Sequence, residues 1–157
     1  MEQLAMKFPE WTRVAEVELV YKTTVRASER PKISSVKDCY ELLKEYWNEN
    51  TIEMQEEFKV LLLNRGNKVI GIYEASSGGI TGSVADPRLI LAAAIKSLAV
   101  SIILSHNHPS GNLKPSRADE ELTQKIKMAA CYHDIKLVDH IIITSEGYYS
   151  FAEEGVL

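Results

Sequence analysis

A chain of 157 residues, 45% hydrophobic and 25% charged, fits one globular domain with a core that needs no staples. Its net charge of −4 excludes a broadly basic nucleic-acid surface, because phosphate binding needs concentrated Lys and Arg. Cys39 and Cys131 lie far apart and form no C-x-x-C pair, which excludes a disulfide framework and a thiolate zinc cluster; both read as buried small hydrophobes.

Residues 1–12 lack a period and read as a peripheral arm. The opening Met1-Glu2-Gln3-Leu4 carries no basic region leading into an apolar run, so no secretory signal is read there. No stretch approaches the ~20 apolar residues of a membrane span, and a cytoplasmic location is expected. From Val14 to Val25, the residues Val17, Leu19, Tyr21, Thr23 and Val25 share one parity, which predicts a half-buried strand. The basic side chains Lys22, Arg26, Arg30, Lys32 and Lys37 surround Glu29 and read as a solvated face. Residues 27–34 read as a loop. Ser35 is placed to cap a helix whose apolar face is Val36, Tyr40, Leu43 and Trp47, with Asn48 and Asn50 ending it.

Phe58 to Leu63 is a short apolar run, Asn64-Arg65-Gly66-Asn67 a turn, and Val69 to Tyr73 a second strand, together a hairpin or adjacent strands of a sheet covered on both faces. Ser76 to Ser83 is rich in Gly and Ser without apolar periodicity and reads as a loop. Asp86-Pro87 opens a helix with the stripe Leu89, Ile90, Ala93, Ala94 and Leu98. A buried strand over 100–104 runs directly into Ser105-His106-Asn107-His108-Pro109, and Ser116 starts a helix carried by Leu122, Ile126 and Ala129 or Ala130. Terminal strands fit 135–144 and 147–151. The sum is one α/β (α+β) layered domain with a mixed central sheet flanked by helices.

The stretch that carries chemistry is Ser105 to Asp119. In extended backbone, residues i and i+2 point to one side, so His106 and His108 can converge on a point. Imidazole nitrogens and carboxylate oxygens are the usual donors of a catalytic zinc. The ten residues between His108 and Asp119 suffice for a loop to return to the first turn of the next helix. Three protein ligands with an open fourth position is the arrangement that activates water. The same letters also suit a helix end: Asp119 complements the N-terminal dipole, and Ser116-x-x-Asp119 is a capping pair. A metal site and a helix cap both remain open on these residues alone.

The joint pattern of Ser105-His106-Asn107-His108-Pro109-Ser110-Gly111 and Pro115-Ser116-Arg117-Ala118-Asp119 resembles the JAMM motif of JAB/MPN domains, and its wording resembles the bacterial RadC-like branch. The resemblance extends over residues 33–157 and takes in Asp139-His140-Ile141 and Gly147 to Phe151, leaving 1–32 as an N-terminal arm and strand. It implies a JAB/MPN-like, cytidine-deaminase-like fold and a single zinc ion held by His106, His108 and Asp119. It further implies that Glu57, directly before the apolar strand, is the general base, and that Ser116 stabilises the oxyanion. The implied activity is metallopeptidase hydrolysis of a peptide or isopeptide bond in a peptide or protein substrate. The alternative is a non-catalytic DNA-repair or recombination accessory that uses the domain to bind partners; direct DNA binding is not expected from this acidic chain. A zinc deaminase is set aside, since Asn107-His108 replaces the required H-x-E and no P-C-x-x-C occurs. His133 reads as a helix C-terminal partner of the dipole; His140, in a stretch that resembles a family motif, reads as a structural hydrogen-bond partner of Asp139, with support of the metal ligands from behind as the alternative. Sequence does not fix the oligomeric state.

Overall fold

A computed structural model describes residues 10–79 and 85–157. After short 3-10 turns at Glu10–Thr12 and Ala27–Glu29, the elements are α1 (Val36–Glu45), β1 (Glu56–Leu63), β2 (Val69–Gly79), α2 (Pro87–Lys96), β3 (Ser101–Asn107), α3 (Arg117–Cys131), β4 (Lys136–Ile143) and β5 (Tyr148–Ser150). Among the described residues the strands form one mixed sheet in the order β2-β1-β3-β4-β5. All neighbours are antiparallel except β3 and β4, which run parallel and are joined by α3 as the crossover that such a pair requires.

Strand parity assigns the two faces. Phe58, Val60 and Leu62 of β1, with Ile102 and Leu104 of β3, pack against Ile90 and Ala94 of α2 and Ile126 and Ala130 of α3. The alternate residues Leu61, Leu63, Ile103, Ile141 and Ile143 pack against Cys39, Leu43 and Trp47 at α1. The sheet is therefore the middle of three layers, and β3 is buried along its whole length. A strand with both faces covered can hold a polar side chain only where another group satisfies it. That constraint governs everything at the C-terminal end of β3.

The helix starts follow from local chemistry. Ser35 accepts the Asp38 amide, Asp86 accepts the Arg88 amide with Pro87 at the first helical position, and Ser116 accepts the Asp119 amide. A cap of this kind contributes about 1 kcal/mol. α1 stops at Glu45, a few residues before Asn48 and Asn50.

Three expectations need correction. Residues 14–25 form no strand: Val14, Val17, Leu19 and Val20 are exposed, and the tie from this segment to the sheet is the Tyr21 hydroxyl donating to the Ile70 carbonyl. Alternation describes a strand only when a neighbour supplies the ladder, and here none does. The Gly/Ser-rich segment begins as strand, since β2 continues to Gly79; residues 80–84 lie outside those described. Cys39 is buried, whereas Cys131 at the end of α3 is exposed. Among the described residues, no helix is long and apolar enough to cross a membrane.

Candidate metal centre

His106 is the penultimate residue of β3, opposite Phe58 of β1 and Ile142 of β4. The His108 amide donates to the Ile143 carbonyl at 3.1 Å, so extended pairing persists one residue past the strand. That persistence keeps His108 on the same face as His106, as the i, i+2 spacing requires. Gly111 then turns the chain: its φ of +79° is a left-handed conformation that glycine adopts without strain, and its amide closes on the His108 carbonyl. The loop returns to the N-terminus of α3, where Asp119 sits at the third helical position.

The three side chains meet. His106 Nε2 lies 3.0 Å from His108 Nε2 and 3.3 Å from Asp119 Oδ1, and His108 Nε2 lies 3.5 Å from Asp119 Oδ2. Metal–ligand distances of roughly 2.0–2.2 Å about a tetrahedral ion put neighbouring donor atoms roughly 3.3–3.6 Å apart. The spacing and the nitrogen-nitrogen-oxygen donor set therefore fit a small divalent cation. His106 is buried, while the His108 and Asp119 side chains keep 15% and 16% exposure, so water reaches the cluster from one side.

The helix cap and a cluster able to hold a metal, open alternatives in the sequence, coexist in Asp119. Asp119 Oδ2 accepts the Ser116 amide at 2.7 Å while Ser116 Oγ accepts the Asp119 amide at 3.1 Å, a reciprocal capping box. The cap fixes the carboxylate with Oδ1 turned to His106, while Oδ2 takes the capping amide and also faces His108. Burial alone would raise the Asp119 pKa, but hydrogen bonds from His106 and His108 outweigh it and hold the group below the usual carboxylate range. Reciprocally, the bond from Asp119 raises the His108 pKa above the ordinary histidine value, with a lesser contribution from the negative charge of Glu56.

Glu57 does not belong to this cluster. Its side chain is on the α1 face, where Lys59 Nζ binds Glu57 Oε2 at 2.7 Å and stands 4.8 Å over the Trp47 ring. Parity explains the placement of Glu57: Phe58 faces His106, so its neighbour Glu57 faces the other way, while alternation along β1 returns Glu56 to the side of Phe58, where its charge reaches His108. Glu56 is half-buried and forms no ion pair among the described residues. Ser116, the other residue implied for catalysis, is exposed beside Asp119; accepting through oxygen leaves its O–H able to donate.

Of the surrounding polar groups, Asn107, Asn112 and Thr123 escaped the sequence reading. Asn107, fully buried between the two histidines, donates to the carbonyls of Ile52 and Gln55 at 2.7 and 2.9 Å and accepts the Glu57 amide at 2.7 Å. It thereby pins the entry to β1 against the ligand strand. The His108 ring is held through Nδ1 by the Asn112 carbonyl. His140, on β4, does not bond Asp139 through its ring: Asp139 accepts its backbone amide, and the ring nitrogens instead meet His106 Nδ1 at 2.8 Å and Thr123 Oγ1 at 2.6 Å. Burial holds the His140 pKa well below the ordinary histidine value, so the ring is neutral. Of the two readings the sequence offered for His140, the geometry favours the one behind the metal-ligand candidates over the ring bond to Asp139. His133 stands exposed in the turn after α3, apart from the cluster.

Comparison with known proteins agrees with this geometry. A family model described as a RadC-like JAB domain matches residues 33–156. The chain belongs to the RadC-like JAB family. It is 46% identical over 125 residues to a UPF0758 protein of Flavobacterium johnsoniae, covering 80% of this chain and 53% of that one. A UPF0758 protein of Porphyromonas gingivalis is 49% identical over 104 residues, covering 66% and 46%. One from Clostridium beijerinckii is 40% identical over 144 residues, covering 92% and 62%. This RadC-like chain thus spans about half to three-fifths of the length of these relatives.

Proposed function

We propose that this RadC-like domain hydrolyses peptide or isopeptide bonds with a single zinc ion held by His106, His108 and Asp119. The observation that carries the reading is the meeting of the two imidazoles and the carboxylate, with nearest donor atoms 3.0–3.5 Å apart and one side open to water. When bound, the ion supplies Lewis acidity to the scissile carbonyl and lowers the pKa of the attacking water.

Glu56, rather than Glu57, takes the water proton. It shares the face of His106 and His108, and its charge acts on His108. Water oxygen bonds to the carbonyl carbon as its proton passes to the Glu56 carboxylate. The same proton then moves to the leaving nitrogen as the C–N bond breaks, releasing a carboxylic acid and an amine. Ser116 donates its hydroxyl hydrogen to the oxyanion of the tetrahedral intermediate, a contribution of the kind that fixed donors make to acyl transfer. Asp119 remains ionised throughout because the capping amide and the imidazoles hold it so.

The test is cleavage of peptide and isopeptide libraries by the zinc-loaded protein, its chelated form and Glu56→Gln. Activity in the loaded wild type alone is the expected result. Equal cleavage by the chelated protein would end the metal mechanism, and equal cleavage by Glu56→Gln would remove Glu56 as the base.

A further inference from the structure

We propose that His140 and Thr123 form a positioning relay that fixes the tautomer of His106 and ties its ring to the backbone of Asp119. The inference rests on the metal-site reading above for its purpose, though not for its geometry. It follows from counting hydrogens along one connected path.

Thr123 Oγ1 has a single hydrogen. It lies 2.6 Å from the Asp119 carbonyl oxygen, one helical turn back, which can only accept. The hydroxyl hydrogen is committed there, so Thr123 Oγ1 must accept at its other contact, His140 Nδ1 at 2.6 Å. His140 therefore carries its proton on Nδ1. Fully buried against Phe58 and Phe151, with only Thr123 and His106 on its ring nitrogens, His140 is a neutral imidazole with one N–H, which leaves Nε2 as an acceptor. The partner of that nitrogen is His106 Nδ1 at 2.8 Å, and it must donate. The consequence for His106 is a proton on Nδ1, which makes Nε2, the atom facing His108 and Asp119, the ring nitrogen that can give its lone pair to a cation. His108 is set the same way more directly, since its Nδ1 can only donate to the Asn112 carbonyl, and the proton its Nε2 shares with Asp119 is the one a cation would displace.

Packing prevents the relay from rearranging. The His140 ring is fully buried, stacked on Phe151 at 4.7 Å with 14° between planes, and meets the edge or face of Phe58 at 5.5 Å. Phe58 in turn lies parallel to His106, with ring centroids 5.8 Å apart. Two ligands from different elements, His106 on β3 and Asp119 on α3, are thus joined through β4 without any ion. Outer hydrogen-bond partners of metal-binding histidines orient the ring and typically change affinity about 10- to 100-fold when removed. His140 and Thr123 do this work for His106. They touch neither the reacting atoms nor the substrate and are positioning residues.

The experiment reads ring tautomers directly, in long-range proton–nitrogen NMR correlations of the chelated, nitrogen-15-labelled protein at neutral pH. Wild type is expected to show His140 and His106 both protonated at Nδ1. A His106 without a proton on Nδ1 in the folded wild type would overturn the proposal without recourse to any variant. In Thr123→Val, which keeps the shape and removes the acceptor, His140 can move its proton to Nε2 and force His106 into the wrong tautomer. The expected results are a mixed His106 signal and zinc affinity reduced about 10-fold or more by chelator competition, with Thr123→Ser restoring both. A folded Thr123→Val with the wild-type tautomers and affinity would equally overturn it. Failure of wild type to bind zinc would sink the metal reading alone, since the tautomer measurement needs no metal.

Discussion

Exchanging one oxygen for nitrogen at two adjacent glutamates should produce two unrelated failures. In Glu57→Gln the buried ion pair with Lys59 is lost; the two side chains keep only 11% and 7% exposure. Removing one partner of a buried pair costs about 3–5 kcal/mol, because the remaining charge is left uncompensated. The lower end applies here: glutamine still offers an acceptor, Glu74 lies 3.7 Å from Lys59 Nζ, and the Trp47 face accepts the ammonium. At about 3 kcal/mol, a chain of this length should lose roughly 6–12 °C in melting temperature. Its catalytic rate per folded molecule should be unchanged. Glu56→Gln should melt within roughly 2 °C of wild type and lose about 100- to 10,000-fold in rate, the usual contribution of a general base. Circular-dichroism melts beside cleavage assays below the lower melting temperature separate the two. A thermally intact but inactive Glu57→Gln, alongside an active Glu56→Gln, would refute the parity argument and restore Glu57 as the base.

Three further outcomes follow from the same geometry. Zinc must displace a proton from His108, whose pKa the Asp119 bond raises; affinity by chelator competition should therefore climb with pH and level off only above the ordinary histidine value. In the chelated protein the sign is opposite for stability: the His108–Asp119 contribution is present below the unfolded histidine pKa and fades as pH rises through the raised one, and at the acid end it is lost as Asp119 protonates. Asn107→Ala should cost about 3 kcal/mol or more in urea denaturation, because two buried carbonyls and one amide lose their partner together; a loss under about 1 kcal/mol would contradict its pinning role. Burial pushes the Cys39 thiol up to about 12, so a thiol reagent at neutral pH should titrate Cys131 alone in the native protein and both cysteines after unfolding.

The parts legible in the sequence were those decided within a few residues. Ser35, Asp86-Pro87 and Ser116 announce helix starts because a cap bonds its own first turn. His106, His108 and Asp119 were readable because a strand exit and a helix entrance with a fixed loop between them leave little freedom. The errors lie where a partner distant in sequence decides. Residues 14–25 have the alternation of a strand, yet only a neighbouring edge could have made them one. Glu57, expected at the site, is turned away from the histidines because adjacent strand residues face opposite layers, and only the pairing of Phe58 with His106 says which layer holds the cluster. Asn107, Thr123 and His140 take their meaning from contacts 50, 17 and 34 residues away, which no local pattern encodes.

The measurement nearest to the central claim is the zinc stoichiometry of the folded chain, by elemental analysis after equilibration against a weak chelator. One ion per chain in wild type, absent in a folded His108→Ala/Asp119→Asn double variant, is the result the geometry predicts. A folded wild type that takes up no zinc, or a double variant that retains it in full, would contradict the site at its root.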